Sequence, residues 1–169
     1  HLAGTAAHLS DADKVKYFYD LGFRAVEYNE YAGLSIDTQN AIAKQMERLG
    51  MTMGVFAPNV GDWSVPNLTG NILDPKSRKR DKEGVMRKVR AVMERSVEAA
   101  KRANAKWFTV VIGAEDPSLE YEYQFQNVVE HLKYASDYLE KNNGPIMVLE
   151  SLNIKDHTGL WLKRIPQPY

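Results

Sequence analysis

The sequence contains no cysteine in 169 residues. That excludes disulfides, thiolate metal sites and a cysteine nucleophile, and leaves the redox compartment open. Neither charge is in excess: Lys and Arg number 22, and Asp and Glu number 22. No overall field therefore favours nucleic acid or an anionic membrane. No apolar run approaches the roughly 20 residues of a membrane-spanning helix. His1-Leu-Ala-Gly4 has neither the basic nor the apolar region of a targeting segment, and the absence of an initiating Met hints at trimming. No Gly-rich phosphate loop such as G-x-G-x-x-G or G-x-x-x-x-G-K-[ST] follows an apolar run, which weakens a nucleotide-binding reading.

What is present suits a soluble globular protein with a real core, since 44% of residues are apolar and 26% charged. The length fits one domain or part of a larger one. A unit recurs along the chain: an amphipathic helix, a Gly or Asn stop, then a short apolar strand. Asp11 to Leu21 places Val15, Phe18 and Tyr19 on one helix face, with Gly22 as the stop, and the strand Phe23 to Tyr28 follows. Ser35 caps a second helix to Leu49, with Ile42, Met46 and Leu49 inward. Gly50 ends it before the strand Met51 to Phe56. A third helix spans about Asp81 to Ala103, with Val85, Met86, Val89, Val92, Met93, Val97 and Ala100 at helical spacing. Asn104 stops it, and the strand Lys106 to Ile112 closes at Gly113. The fourth helix, about Leu119 to Lys141, is expected to bury Phe125, Val128, Val129, Leu132, Ala135 and Leu139.

Four such repeats predict a parallel sheet with right-handed crossovers, either an open doubly wound sheet or a (β/α)8 barrel. The β/α loop at about 57–80 is long and rich in Pro, Asn and Gly, which makes it a candidate lid. Trp63 within it either covers a ligand or anchors the loop. The chain starts before a helix with no strand ahead of it and stops at Ile165-Pro-Gln-Pro-Tyr169. We therefore expect residues 1–169 to form one partial barrel domain, the N-terminal half or so. Open sheet edges would favour a partner, including a second copy of the chain.

The most informative stretch is Gly144-Pro-Ile-Met-Val-Leu-Glu-Ser-Leu-Asn153. Its apolar run predicts a strand buried on both faces, and Glu150 sits where that strand emerges. A carboxylate there needs water, a charged partner or a cation, and strand C-terminal ends are where parallel α/β folds place their chemistry. From position alone, a catalytic role and a structural ion pair are equally open to Glu150.

Three blocks carry a family likeness: Leu49-Gly-Met-Thr-Met-Gly-Val-Phe56, Ala103-Asn-Ala-Lys-Trp-Phe-Thr-Val-Val111 and Met147-Val-Leu-Glu-Ser-Leu-Asn153. Leu160-Trp-Leu-Lys-Arg-Ile-Pro-Gln167 extends it. The chain resembles the hydroxypyruvate isomerase-like family of the xylose isomerase-like TIM barrels, over about strands two to five. The resemblance implies that Glu150 is a metal ligand and an acid/base. It also implies that the remaining metal ligands belong to later strands. Mg²⁺ or Mn²⁺ would suit carboxylate ligands, and a His among the ligands would favour Mn²⁺ or Zn²⁺. The reaction implied is an aldose–ketose type isomerisation of hydroxypyruvate, tartronate semialdehyde or a sugar through an enediolate. A sugar epimerase or inosose dehydratase is the alternative on the same barrel, and a non-catalytic half-barrel the alternative of another class. Endonuclease IV-like activity fits poorly, because its zinc site needs several strand-end His and this chain has only four His in all.

The likeness also departs from the family pattern. The family's Leu-Glu-Pro-Leu-Asn is Leu-Glu-Ser-Leu-Asn here, and an Asn-His-Pro-Gly stretch becomes Asp156-His-Thr-Gly159. His157 is thus a substrate-binding candidate against an ordinary loop histidine, while Asp156 reads as a turn residue. Glu27 matches a family Glu at the end of the first strand and is a second substrate-binding candidate, against a surface salt bridge. His8 reads as a loop residue, His1 has no readable role, and His131 reads as a helix-face residue. The run Lys76-Ser-Arg-Lys-Arg80 is diluted by Asp74, Asp81 and Glu83, so a solvated face is expected rather than nucleic-acid binding.

Overall fold

Helix limits follow the caps written into the sequence. The computed structural model describes residues 6–58, 64–153 and 155–163; Trp63 and His1 lie outside these. Helix α1 (Asp11–Asp20) is capped by the Ser10 hydroxyl, which accepts from the Asp13 amide. Past its end, Gly22 takes φ +98°, a conformation open to glycine at little cost. Ser35 caps α2 (Ile36–Leu49) in the same way, and Gly50 closes it in the left-handed region. Asp81 caps α4 (Lys82–Ala103) by accepting from the Gly84 amide, and Asn104 closes it. Between them α3 is a single turn, Asn67–Gly70. The last helix, α5, runs Tyr121–Lys141. Among the described residues no helix is long and apolar enough to cross a membrane.

The strands are β1 (Ala25–Val26), β2 (Thr52–Met53), β3 (Trp107–Val110) and β4 (Ile146–Leu149). β1 pairs parallel with β2, Val26 opposite Met53, and β3 pairs parallel with β4 from Trp107↔Ile146 to Val110↔Leu149. The Thr109 amide donates to the Phe56 carbonyl at 2.9 Å and joins the two pairs. The order β1-β2-β3-β4 thus follows the chain. A doubly wound sheet would reverse its order at a switch point; here each strand lies beside the next, and α1, α2, α4 and α5 pack in the same succession. That succession is the wall of a barrel.

The first two strands are shorter than their apolar runs. Past Gly54 the register slips: the Tyr28 amide reaches the Val55 carbonyl at 3.0 Å, where the Val26↔Met53 register would bring it to Gly54. The slip acts as a bulge and turns Phe56 to the same side as Met53. Phe56 and Phe108 are both 0% exposed, with ring centroids 5.9 Å apart, and Tyr31 packs on Phe56 at 6.2 Å. These rings, with Ile42, Met93 and Val110, fill the layer between strands and helices.

Two expectations are corrected. β4 is not buried on both faces: Ile146 is 62% exposed and Val148 41%, because among the described residues only β3 flanks it and nothing covers the face they share. In α5, Phe125 is exposed, and the buried stripe is Gln124, Val128, His131, Ala135 and Leu139. Two polar side chains occupy that stripe because backbone groups need them. The Gln124 amide spans the Asp116 N–H and C=O and the Leu119 C=O, and His131 meets the Leu68 C=O. Burial with a partner is the condition under which polar groups enter a core.

Candidate active-site rim

Side chains alternate along a strand. Phe108 and Val110 point into the helix layer, so Trp107 and Thr109 point the other way, as do their register partners Ile146 and Val148. Glu150 is two residues past Val148 and shares that concave face. Its own amide donates to the Val110 carbonyl at 3.0 Å, so the ladder carries it to the strand's C-terminal end. The carboxylate is exposed and has no hydrogen bond or ion pair among the described residues. The structural ion pair that its position left open is not made within them.

Glu27 follows β1 directly and alternates onto the same face as Ala25. It too is exposed and unpaired among the described residues. The two carboxylates therefore share one rim, with β2 and β3 between their strands.

After Glu150 the chain turns sharply. The Asn153 Oδ1 accepts from the Lys155 and Asp156 amides at 3.0 Å each, and its carbonyl accepts from the His157 amide. This side chain to backbone turn leaves Asp156 exposed and the His157 ring half-buried without a polar partner among the described residues. The chain then runs back over the exit of β3. Leu160 bridges to Ala114, the Trp161 amide donates to Gly113, and the Trp161 ring stacks on Tyr121 at 5.4 Å.

The residue that the sequence reading missed is Asp116, in the loop after β3. It is fully buried and accepts from the Ser118 hydroxyl (2.6 Å), the Ser118 amide (3.0 Å) and the Arg80 guanidinium (2.9 Å), with Arg78 at 3.9 Å. Burial pushes its carboxyl up, but the Ser118 bonds and the two arginines outweigh burial and hold it below the ordinary 3.8. The Asp-Pro turn signal in Asp116-Pro117-Ser118 was the clue. Half of the basic run is thus spent on an internal carboxylate. The candidate lid is likewise anchored over Val65 to Ile72, where α3 is wholly buried.

A divalent cation of the Mg²⁺ or Mn²⁺ kind takes about six ligands in octahedral geometry, some of them water. Glu150 is a suitable donor, yet no three His, Asp or Glu side chains converge among the described residues. They offer one ligand and no complete set. His8 is exposed ahead of α1, and His131 is buried away from the rim.

Residues 15–160 match the family described as xylose isomerase-like TIM barrel. No curated protein sequence matches the chain. Among solved structures, AP endonuclease, family 2, from Brucella melitensis superposes with a TM-score of 0.68 at 17% identity, over 88% of this chain and 52% of that one. D-psicose 3-epimerase from Clostridium cellulolyticum H10 gives 0.61 at 14% identity, over 90% and 50%. 3-Keto-D-glucoside 4-epimerase from E. coli gives 0.60 at 12%, over 85% and 52%. The chain thus spans about half the length of the structures it matches, and identities this low speak for the fold alone.

Proposed function

The chain belongs to the xylose isomerase-like TIM barrel family, and from that premise we propose that it forms the Glu150-bearing wall of an isomerase active site. The substrate is a small hydroxy-carbonyl compound, either hydroxypyruvate with tartronate semialdehyde or a sugar. The observation that carries this reading is the placement of Glu150: at the C-terminal end of β4, on the concave face, with its carboxylate uncommitted among the described residues. A carboxylate so placed takes the proton from the carbon beside the substrate carbonyl, and the electron pair left behind forms the enediolate. The hydroxyl proton then passes from one enediolate oxygen to the other, and the same group, now protonated, returns its proton to the former carbonyl carbon.

Glu150 would also hold a divalent cation as one ligand, the others coming from outside the described residues; such a cation supplies Lewis-acid stabilisation of oxygen charge. Glu27 and His157, at the rim and on the loop that follows Glu150, would contact substrate hydroxyls. Epimerisation is the second reading, supported by the epimerases among the matched folds. It needs the proton returned to the opposite face of the same carbon.

The test is a substrate panel on the complete gene product, stripped with chelator and reloaded with Mg²⁺ or Mn²⁺. Hydroxypyruvate, ketoses and aldoses are followed by NMR in D₂O, where solvent deuterium enters at the carbon that exchanges. We expect metal-dependent exchange that Glu150→Gln abolishes. Retained exchange in that variant would sink the assignment.

A further inference from the structure

The single turn α3 is held from three sides. The Thr69 hydroxyl donates to the Ala114 carbonyl at 2.6 Å, the Asn127 amide donates to the Thr69 carbonyl at 2.6 Å, and His131 Nδ1 lies 3.0 Å from the Leu68 carbonyl. A carbonyl oxygen can only accept, so Nδ1 carries a hydrogen. The ring is 1% exposed, and Nε2 meets no partner among the described residues. Beside it lies a cavity of about 10 Å³ lined by Val89, Met93, Val110 and Met147, too apolar to keep a water.

The neutral ring with a bare Nε2 suits this seat. A second proton would set an N–H and a positive charge against aliphatic carbon, the costly case of burial. The charged groups that face the ring are Glu130 on α5 and Lys82 on α4, paired with each other at 2.6 Å and half-exposed. α3, β3 and β4 present Leu68, Val110 and Met147 to it, so no uncompensated carboxylate waits to receive the proton's charge.

We propose that His131 is an acid-triggered release for α3: on taking up a proton the ring leaves its apolar seat and frees Val65 to Ile72 from α5. Burial, helped by the Lys82 charge, lowers the ring's affinity for a proton below the ordinary 6.5, against the smaller help of the Leu68 and Asn127 backbone and of Glu130. The unfolded or released chain therefore binds the proton better. The clamp is fully present above about pH 6.5 and is lost as pH falls through the lower folded value. Because Thr69 bonds the residue that follows Gly113 at the exit of β3, release loosens the loop beside the rim whatever the substrate is.

Amide exchange tests this at Gly70 and Ile72, whose N–H groups both bond the Pro66 carbonyl. Corrected for intrinsic rates, opening should rise by up to roughly ten-fold per pH unit as pH falls from about 6.5 to the lower folded value and level off below it, while α2 amides stay protected. His131→Asn keeps a donor for Leu68 without a titrating group and should flatten the response. The proposal is overturned by pH-independent protection of α3, by equal loss in His131→Asn, or by α2 amides opening in step. Should that variant not fold, ring NMR of the unmodified protein decides. An Nδ1–H tautomer titrating below 6.5 is expected, and titration at or above 6.5 overturns the idea.

Discussion

Replacing Asp116 by Asn swaps one buried oxygen for an amide nitrogen and changes little else in shape. The retained oxygen still accepts from Ser118, while the Arg80 guanidinium, 2.9 Å away, loses its carboxylate acceptor, keeps the Ser118 hydroxyl and meets a buried N–H₂ instead. A hydrogen bond to a charged group contributes about 1.5–3 kcal/mol, and an unsatisfied buried donor costs about 1–3 kcal/mol. Arg80 is 46% exposed, so water takes back part of its loss and surface pairs are worth little. The two effects together place the cost at about 2–3 kcal/mol. For a chain of this size that is a drop in Tm of about 4–12 °C. Urea unfolding at neutral pH should show a lower midpoint with an unchanged slope.

The pH dependence adds a second arm. The Asp116 carboxyl is held below 3.8 in the folded protein, so its stabilisation is present above that value and disappears as pH falls through the folded pKa. The gap between parent and variant should therefore close in acid. A variant within about 0.5 kcal/mol of the parent at neutral pH, or a gap that persists in acid, refutes a stabilising Asp116–Arg80 pair.

Three further outcomes follow from the packing. Phe108→Ala empties the position between Phe56 and the helices and should cost about 3–5 kcal/mol in urea unfolding; a loss under about 1 kcal/mol would mean the ring is not central to the core. Gly144→Ala sets a methyl 2.8 Å from Leu139 Cδ2 and 3.0 Å from Val97 Cγ2, and overpacking there should cost about 1–3 kcal/mol; an unchanged melt would show that the α5–β4 joint gives way freely. Glu150→Gln removes no internal partner, so its stability should stay within about 0.5 kcal/mol of the parent; a larger loss would make the carboxylate structural.

Helices were legible where the chain writes both caps. Ser35 with Gly50, and Asp81 with Asn104, set α2 and α4 at their observed limits. Strand existence was legible but strand length was not, because the slip after Gly54 depends on which neighbour pairs with Tyr28, a tertiary matter. The buried face of α5 failed for the same kind of reason. Apolar spacing favoured Phe125, but the orphan backbone groups of Asp116 and Leu68 drew Gln124 and His131 inward, and nothing near those residues in sequence announces that demand. Glu150 was legible as a carboxylate where a strand emerges, though not which face of the sheet it takes. What else converges on it was not, since alternation fixes the face of a side chain and says nothing of its distance to another strand.

The succession of β1 to β4, with each helix touching the next, makes cohesion a property of neighbours. Like links in a row, an interior unit such as β3 with α4 is held from both sides. Opening it should demand that both neighbours give way together, which steadies the loop after β3 where Asp116 is buried.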